Sequence, residues 1–544
     1  MRNPQKLRIG LCGNSQALEQ ILIQEGLEYV HCTLNKIPNP RDFSLLLISG
    51  RLSAKEKKNA LSYCSSGGSL ISEISSNIPN SLSPEPEFIK FIMSTMQEPL
   101  FAGVGRLWID SYGFTSPKAR IGAINGKKPA LVSERIGKGF HIAVPFDIDS
   151  AFSDFRSAER GFCGAHGAAS EEVCATSKGN VRKLLINCIR HLLAQRNLPY
   201  IHKWYYPFPY SNIFSFRIDW DFWDYNAAKT AVDLGKKHKI PITWFINFEF
   251  MEKLSREEQK KCLSLIKQIP RSTNQKVHSH GYKHDIYDSE QSNYSNLQKA
   301  HSSLKSLSIS PNAFVAPFGK WNPSLQKALE RMHYSYSSDF CWAYDDLPSR
   351  PLINNKPSSV LQIPVHPNCI YRLKTLDYTS EQMKQYYAQL IEQKLLTHEP
   401  IILYDHPVMG IEKHPEVIDS IFARINSMKA SSNLWIAGMD DFCNFWIKRE
   451  KMQICSSITG NKLAITASSS FPKSGIEIIL PDNMRLLLPA KQNKITINLK
   501  KHGGFAMQPK APAIHDTEEA PSRIKLRKRA LHFAVMKCKR ALRQ

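Results

Sequence analysis

The sequence predicts a multidomain α/β protein: an N-terminal parallel α/β unit, a central distorted (β/α) barrel, a small C-terminal β unit and a basic tail. Three observations predict it. The chain has 544 residues, more than a single hydrophobic core usually serves. Over most of its length continuous apolar strands alternate with helical patterns, as in parallel sheets covered on both faces. Beyond residue 452 the pattern changes to short alternating runs between turn residues.

The first unit spans residues 1–198. "LRIGLCGN" is an apolar strand ending in Gly-Asn, and "SQALEQILIQEGL" has helical spacing. "YVHCTL" and "FSLLLISG" read as two further strands. "SAKEKKNALSYCSSGG" is a helix stopped by glycines before the strand "SLISEI", and "ERIGKGFHIAVPFDID" is a late turn and strand. "GLCGNS" is no dinucleotide fingerprint, because it lacks GxGxxG. Prolines and aromatics in "RNLPYIHKWYYPFPYSN" mark a boundary near residue 200.

The second unit spans residues 205–448. Its strand-like runs are "IFSFRIDWD", "PITWFINFEF", "KVHSHG", "AFVAPFG", "VLQIPVHP", "PIILYDHP" and "LWIAGMDDF". Helical stretches such as "SNLQKAHSSLKSLS" and "NPSLQKALERMHY" separate them, which argues for a barrel with its reactive groups at the C-terminal ends of the strands. Residues 452–504 hold "KLAITASSS", "GIEIILPD", "MRLLLPA" and "KITINLK", read as a small β domain. Residues 505–544 are a linker rich in Pro, Ala and acids, then "RIKLRKRALHFAVMKCKRALRQ". There Leu531, Ala534, Val535, Cys538, Ala541 and Leu542 fall on one helical face, a pattern suited to an anionic membrane surface.

The formal net charge is +24, and residues 523–543 carry nine Lys/Arg and no acid. Such a surface favours anionic partners, among them acidic glycans, anionic lipid and nucleic acid. No RRM, zinc-knuckle or helix-turn-helix pattern supports the last. The 12 cysteines are scattered without a CxxC pair and read as reduced, buried thiols. The apolar stretch in "MRNPQKLRIGLCGNS" is too short for a signal-peptide core, and no run approaches the ~18–20 apolar residues that span a bilayer. The expected location is cytoplasmic, peripheral at the inner membrane face if the tail binds lipid.

Three stretches concentrate chemistry. "FSFRIDWDFWD" places Asp219 and Asp221 two apart, so that on a strand both carboxylates enter one pocket. "HSHGYKHD" holds three of the chain's 18 histidines, and the spacing of His280 and His284 lets two imidazoles reach one ion. "IILYDHPVMG" closes an apolar strand with Asp405 and His406.

In this order, with "APFG" at residues 316–319, these motifs make residues 205–447 resemble the polysaccharide deacetylases (the NodB-homology domain, carbohydrate esterase family 4). The first unit resembles, at the level of fold only, the Rossmann-like or flavodoxin-like modules related to class I glutamine amidotransferases, without their nucleophile elbow. Cys64, in "LSYCSSGG", reads as a helix residue. The deacetylase resemblance implies a metal-dependent hydrolase that removes an N-acyl group, acetyl in the first place, from an amino sugar or glycan. It implies a divalent ion, Zn²⁺ first, with Co²⁺, Ni²⁺ or Fe²⁺ able to take the same ligands. On this reading Asp221, His280 and His284 hold the metal and Asp219 is the general base; exchanging the two aspartates is the alternative. The Phe318 backbone N–H serves the oxyanion. His406 protonates the leaving amine, with Asp405 or a neighbour orienting it. Trp220, Phe222, Trp223, Trp321 and Trp342 offer flat faces to a sugar ring or pack in the core, with Trp220, Trp321 and Trp342 the stacking candidates.

The sequence also departs from the family. Trp220 separates aspartates that are usually adjacent, Gly281 stands where Ser or Thr is usual, and Val315 stands where an Arg usually steadies the base. Arg217, on the strand face of Asp219, is the expected replacement. These departures keep open an alternative: an inactive relative that binds carbohydrate or scaffolds polysaccharide synthesis. The sugar, the oligomeric state and the partner of the first unit are not specified by these residues.

Overall fold

In the computed structural model, residues 4–94, 98–272, 275–490, 494–499, 506–507 and 518–519 are described. The basic amphipathic stretch at residues 523–543 lies outside them. Among the described residues no helix is long and apolar enough to cross a membrane.

The N-terminal sheet has nine strands. Five are parallel, in the spatial order Tyr29–Cys32, Ile9–Cys12, Leu45–Ile48, Ser69–Glu73, Gly139–Val144. In chain order this is second, first, third, fourth, fifth, the doubly wound flavodoxin-like order. The sheet is not parallel throughout, as the sequence reading had it. Lys128–Ile136, Ile121–Ile124, Glu85–Met93 and Leu107–Thr115 extend it antiparallel. Exposed and buried residues mix along Glu85–Met93, as on a sheet with one solvated face, so its apolar signal is diluted. Cys64 sits in the helix Ala54–Ser65 under a Ser53–Glu56 capping box; it is buried, and burial raises its thiol to about 12.

The central sheet has eight strands, all paired parallel. Around the ring the order is Leu361–Gln362, Tyr336–Ser337, Ala313–Phe314, Lys276–Ser279, Ile242–Ile246, Asn212–Trp220 and Ile401–Asp405, with Leu434–Ile436 also paired to Asn212–Trp220. The His366 N–H donates to the Ile402 carbonyl at 3.0 Å, drawing the two ends together. Alternation sorts the side chains. Phe214, Phe216, Ile218 and Trp220 join Ile242, Trp244 and Ile246 in the core under the outer helices. Ile213 and Phe245 face the other core, inside the ring. After the strand Asn212–Trp220, Asp224 caps the helix Tyr225–His238 by accepting from the Ala227 N–H at 2.8 Å, fixing the turn that carries Asp221.

The C-terminal strands recruit partners from far upstream. Gln453–Thr459 pairs with Gln5–Lys6, and Gly475–Ile479 with Tyr200–Lys203, giving two four-stranded sheets around Leu7, Ile201, Ile465 and Ile478. The first unit and the ring are joined by buried charge: Arg182 bonds Glu25 and Asp346, each at 2.8 Å, and the Lys178 ammonium donates to the Trp342 carbonyl at 3.0 Å.

Candidate metal centre

Inward-facing positions at the C-terminal ends of neighbouring strands converge on Asp221. Its Oδ1 lies 2.9 Å from His280 Nε2, and its Oδ2 lies 3.3 Å from His284 Nε2 and 3.5 Å from His406 Nε2. Ligand-capable atoms of Asp221, His280 and His284 all fall within 4.8 Å of one another. Burial alone raises the Asp221 carboxyl, but the three imidazoles outweigh it and hold it well below the ordinary carboxylate range. For His280, burial works against the charged form and is overcome by Asp221, so its value is raised; for His406 burial prevails and lowers it.

The histidine loop is built for two donors. His280 Nδ1 donates to the Val315 carbonyl at 2.6 Å, which leaves Nε2 with its lone pair toward Asp221. Asn247, fully buried, donates to the His280 and Gly281 carbonyls at 3.0 and 3.3 Å and accepts from the Glu249 N–H. Asn296 accepts from the N–H groups of Tyr282 and Lys283. Gly281 has φ +84°, and a Cβ there would stand 2.9 Å from the Lys283 carbonyl oxygen. That is why glycine occupies this place.

Two buried atoms around the cluster make no hydrogen bond, His284 Nε2 and Asp219 Oδ1, and Asp221 Oδ1 meets only the His280 ring nitrogen. Lone pairs facing one another without a proton between them are what a divalent cation neutralises, so these residues fit a metal ion. Two imidazoles and one carboxylate suit Zn²⁺, Co²⁺, Ni²⁺ or Fe²⁺.

Asp219 shares Asp221's face but meets a different partner. Arg217 Nη2 donates to Asp219 Oδ2 at 3.0 Å, Nη1 donates to the Ser338 carbonyl at 2.5 Å, and the guanidinium sits 4.9 Å from the Tyr404 ring centroid. A cation thus stands beside Asp219 from within the aspartates' own strand. Phe318 holds φ 58°, ψ 18°, a left-handed conformation strained for a phenylalanine, and its ring packs edge-on against His284 at 4.7 Å. Asp339 accepts from the Ala316 N–H at 2.7 Å and fixes this loop; burial pushes its carboxyl up to about 6.

Two expectations are corrected. Asp405 does not orient the His406 ring. It shares the parity of Ile401 and Leu403, which face the outer helices, whereas His406 follows Tyr404 inward. Its carboxylate instead accepts the backbone N–H groups of His406 at 2.8 Å and Ile370 at 3.0 Å, and burial raises it to about 7. The tryptophans do not line the mouth. Trp220 is 0 % exposed against Trp223 and Trp244, and Trp321 (6 %) and Trp342 (1 %) pack on each other at 4.7 Å. Trp220 points to the helices because both its neighbours point inward. Among the aromatics next to the site's loops, Phe222 (37 %) and Phe318 (42 %) reach solvent.

His278 pairs with Asp440 at 3.0 Å, deeper in the ring, and Tyr336 donates to the same carboxylate. The sequence reading missed Asn247 and Asn296. Asn247, a polar residue closing an apolar strand, carried the only legible signal.

Residues 219–337 match the profile of the polysaccharide deacetylase family. Among solved structures, the chain resembles Puue allantoinase at 16 % identity over 44 % of this chain and 92 % of that one, with a TM-score of 0.34. It resembles BA3943, a CE4 family pseudoenzyme from Bacillus anthracis, at 14 % identity over 43 % and 65 %, with a TM-score of 0.30. A family 4 carbohydrate esterase from Streptomyces lividans, solved with acetate, is similar at 10 % identity over 41 % and 91 %, with a TM-score of 0.27. No curated protein matches the chain.

Proposed function

We propose that the deacetylase domain hydrolyses an N-acyl group, acetyl in the first instance, on an amino sugar or glycan, with a divalent metal held by Asp221, His280 and His284. The observation that carries this reading is the convergence of Asp221, His280 and His284 ligand atoms, with His284 Nε2 left without a hydrogen bond, in a segment that matches the deacetylase profile. When bound, the ion supplies Lewis acidity toward the acyl carbonyl and lowers the pKa of water beside it.

The remaining work falls to the protein. Asp219 takes the proton of the attacking water through Oδ1, since Oδ2 is engaged by Arg217. Arg217 keeps that carboxylate in place. The Phe318 loop, turned by its positive φ and anchored through Asp339, offers a backbone N–H to the charge developing on the acyl oxygen. His406, with Nε2 toward the same space, gives a proton to the departing nitrogen. Phe222 and Phe318 give the sugar its apolar contact.

The inactive alternative drew on the missing arginine and on the split aspartate pair; the Arg217–Asp219 contact answers the first, and the metal and activity measurements decide the second. Elemental analysis of protein purified without chelator tests the reading, beside His280→Ala and His284→Ala. The expected result is about one Zn, Co, Ni or Fe per chain, lost in both variants, with hydrolysis of an acetylated amino sugar that follows the metal. A chain that stays empty after reconstitution would overturn it.

A further inference from the structure

The mouth of the ring is asymmetric. The segments that follow four consecutive strands, from Asn212–Trp220 round to Ala313–Phe314, present Phe222 stacked on Phe250 at 5.8 Å, half-buried Tyr282, and exposed Phe318. The segments on the other arc, after Tyr336–Ser337 and Leu361–Gln362, are covered. What covers them belongs to the N-terminal unit: the hairpin formed by Ser157–Gly164 and Gly167–Cys174.

This hairpin is tied to both covered segments. The Cys174 N–H donates to the Phe340 carbonyl at 3.1 Å. Asn368 Nδ2 reaches the Ala169 carbonyl at 3.3 Å, and the Tyr378 hydroxyl donates to the Gly167 carbonyl at 2.9 Å. Phe162 sets its ring edge-on against Tyr344 at 5.4 Å and His366 at 5.9 Å. Glu171, 2 % exposed, forms an ion pair with Arg372 beside Tyr404, the ring that lies on Arg217. A buried pair of this kind holds its geometry, because separating the partners leaves an uncompensated charge. Glu518–Glu519 adds a third strand along the hairpin's outer edge, opposite Phe162 and Gly161.

We propose that the hairpin is a fixed wall on the Phe340–Tyr378 side of the metal-site mouth, and that it confines the substrate to a chain end or a short oligosaccharide entering past Phe222 and Phe318. The inference rests on the deacetylase reading. A polymer lying across the site needs open surface on both sides of the reacting sugar. Here neighbouring sugars can extend only over the aromatic arc.

The test is calorimetric titration of the zinc-loaded full chain with N-acetylglucosamine oligomers of one to six units, together with mass analysis of the products. Affinity should level off by the trimer, changing by less than about threefold from trimer to hexamer, and only a terminal acetyl group should be lost. Replacing residues 163–168 by Asn-Gly keeps the Phe162–Ala169 pairing and removes the tip that reaches Tyr378. That variant should gain affinity by about tenfold over the same steps. A wild-type affinity that climbs about tenfold from trimer to hexamer, removal of internal acetyl groups, or no binding of any oligomer would overturn the wall. The wild-type series decides even if the shortened hairpin fails to fold. Tight binding of short oligomers without hydrolysis would sink the deacetylase reading and leave the wall standing.

Discussion

Arg217→Met is the sharpest perturbation of the site, because methionine keeps most of the side-chain volume and removes only the charge and its donors. Arg217 is 1 % exposed and Asp219 3 %, and their charged atoms stand 3.0 Å apart. At an effective dielectric constant of about 20, that separation gives a gross attraction on the order of 5 kcal/mol. The variant also strips the Ser338 carbonyl of its charge-assisted donor. Removing one member of a buried pair destabilises by about 3–5 kcal/mol, and that is the expected loss in equilibrium urea unfolding of the metal-free protein. Asp219→Asn in the same background removes the stranded charge, so the double variant should recover about 2 kcal/mol of that loss. If the proposed function holds, hydrolysis by Arg217→Met should lose kcat with KM little changed, since the guanidinium touches Asp219 and not the sugar. An Arg217→Met loss below about 1 kcal/mol, or a coupling near zero in the double-mutant cycle, would refute the claim that this arginine holds the aspartate.

Three further outcomes are expected. Asn247→Ala frees two carbonyls of the histidine loop; it should lower zinc affinity by about 10–100-fold in competition titrations while the far-ultraviolet spectrum stays that of the wild type. Gly281→Ala forces a side chain into φ +84° against the Lys283 carbonyl, and differential scanning calorimetry should show a loss of about 1–2 kcal/mol. Glu477, bonded to His202 and paired with Arg485, is depressed to about 2 although burial opposes it. Its folded value lies below its unfolded one, so its stabilisation is complete above about pH 4.5 and is lost as pH falls toward 2. Wild-type stability should therefore drop across that window more steeply than that of Glu477→Gln, and equal slopes would show that the pairing contributes nothing.

The strands of the ring other than Tyr336–Ser337 were legible because their signals are local. "SAKEKKNALSYCSSGG" carries its own capping box and its own glycine stop, and the helix Ala54–Ser65 follows both. Asp219, Asp221, His280, His284 and His406 stand out for a related reason: polar residues that end apolar strands have few roles in a covered sheet. Their convergence on one carboxylate follows once those strands lie side by side.

What the chain's order leaves open is which way a side chain faces and what lies across from it. Asp405 and His406 are neighbours in sequence with different partners: the Asp405 carboxylate takes the His406 and Ile370 backbone N–H groups, whereas His406 Nε2 faces Asp221. Strand alternation sends Trp220 into the helix-facing core while the aspartates on either side of it enter the ring. Gln5–Lys6 joins strands more than 400 residues away, and the hairpin Ser157–Cys174 reaches a rim built by residues 340–378. No periodicity within a segment encodes a partner at that distance. The sequence by itself determined the metal-competent residues and the strands that end in them. Only the tertiary structure decided that Arg217 is held between Asp219 and the Ser338 carbonyl, and that the N-terminal unit stands at the mouth of the site, because both depend on contacts between segments that local pattern leaves independent.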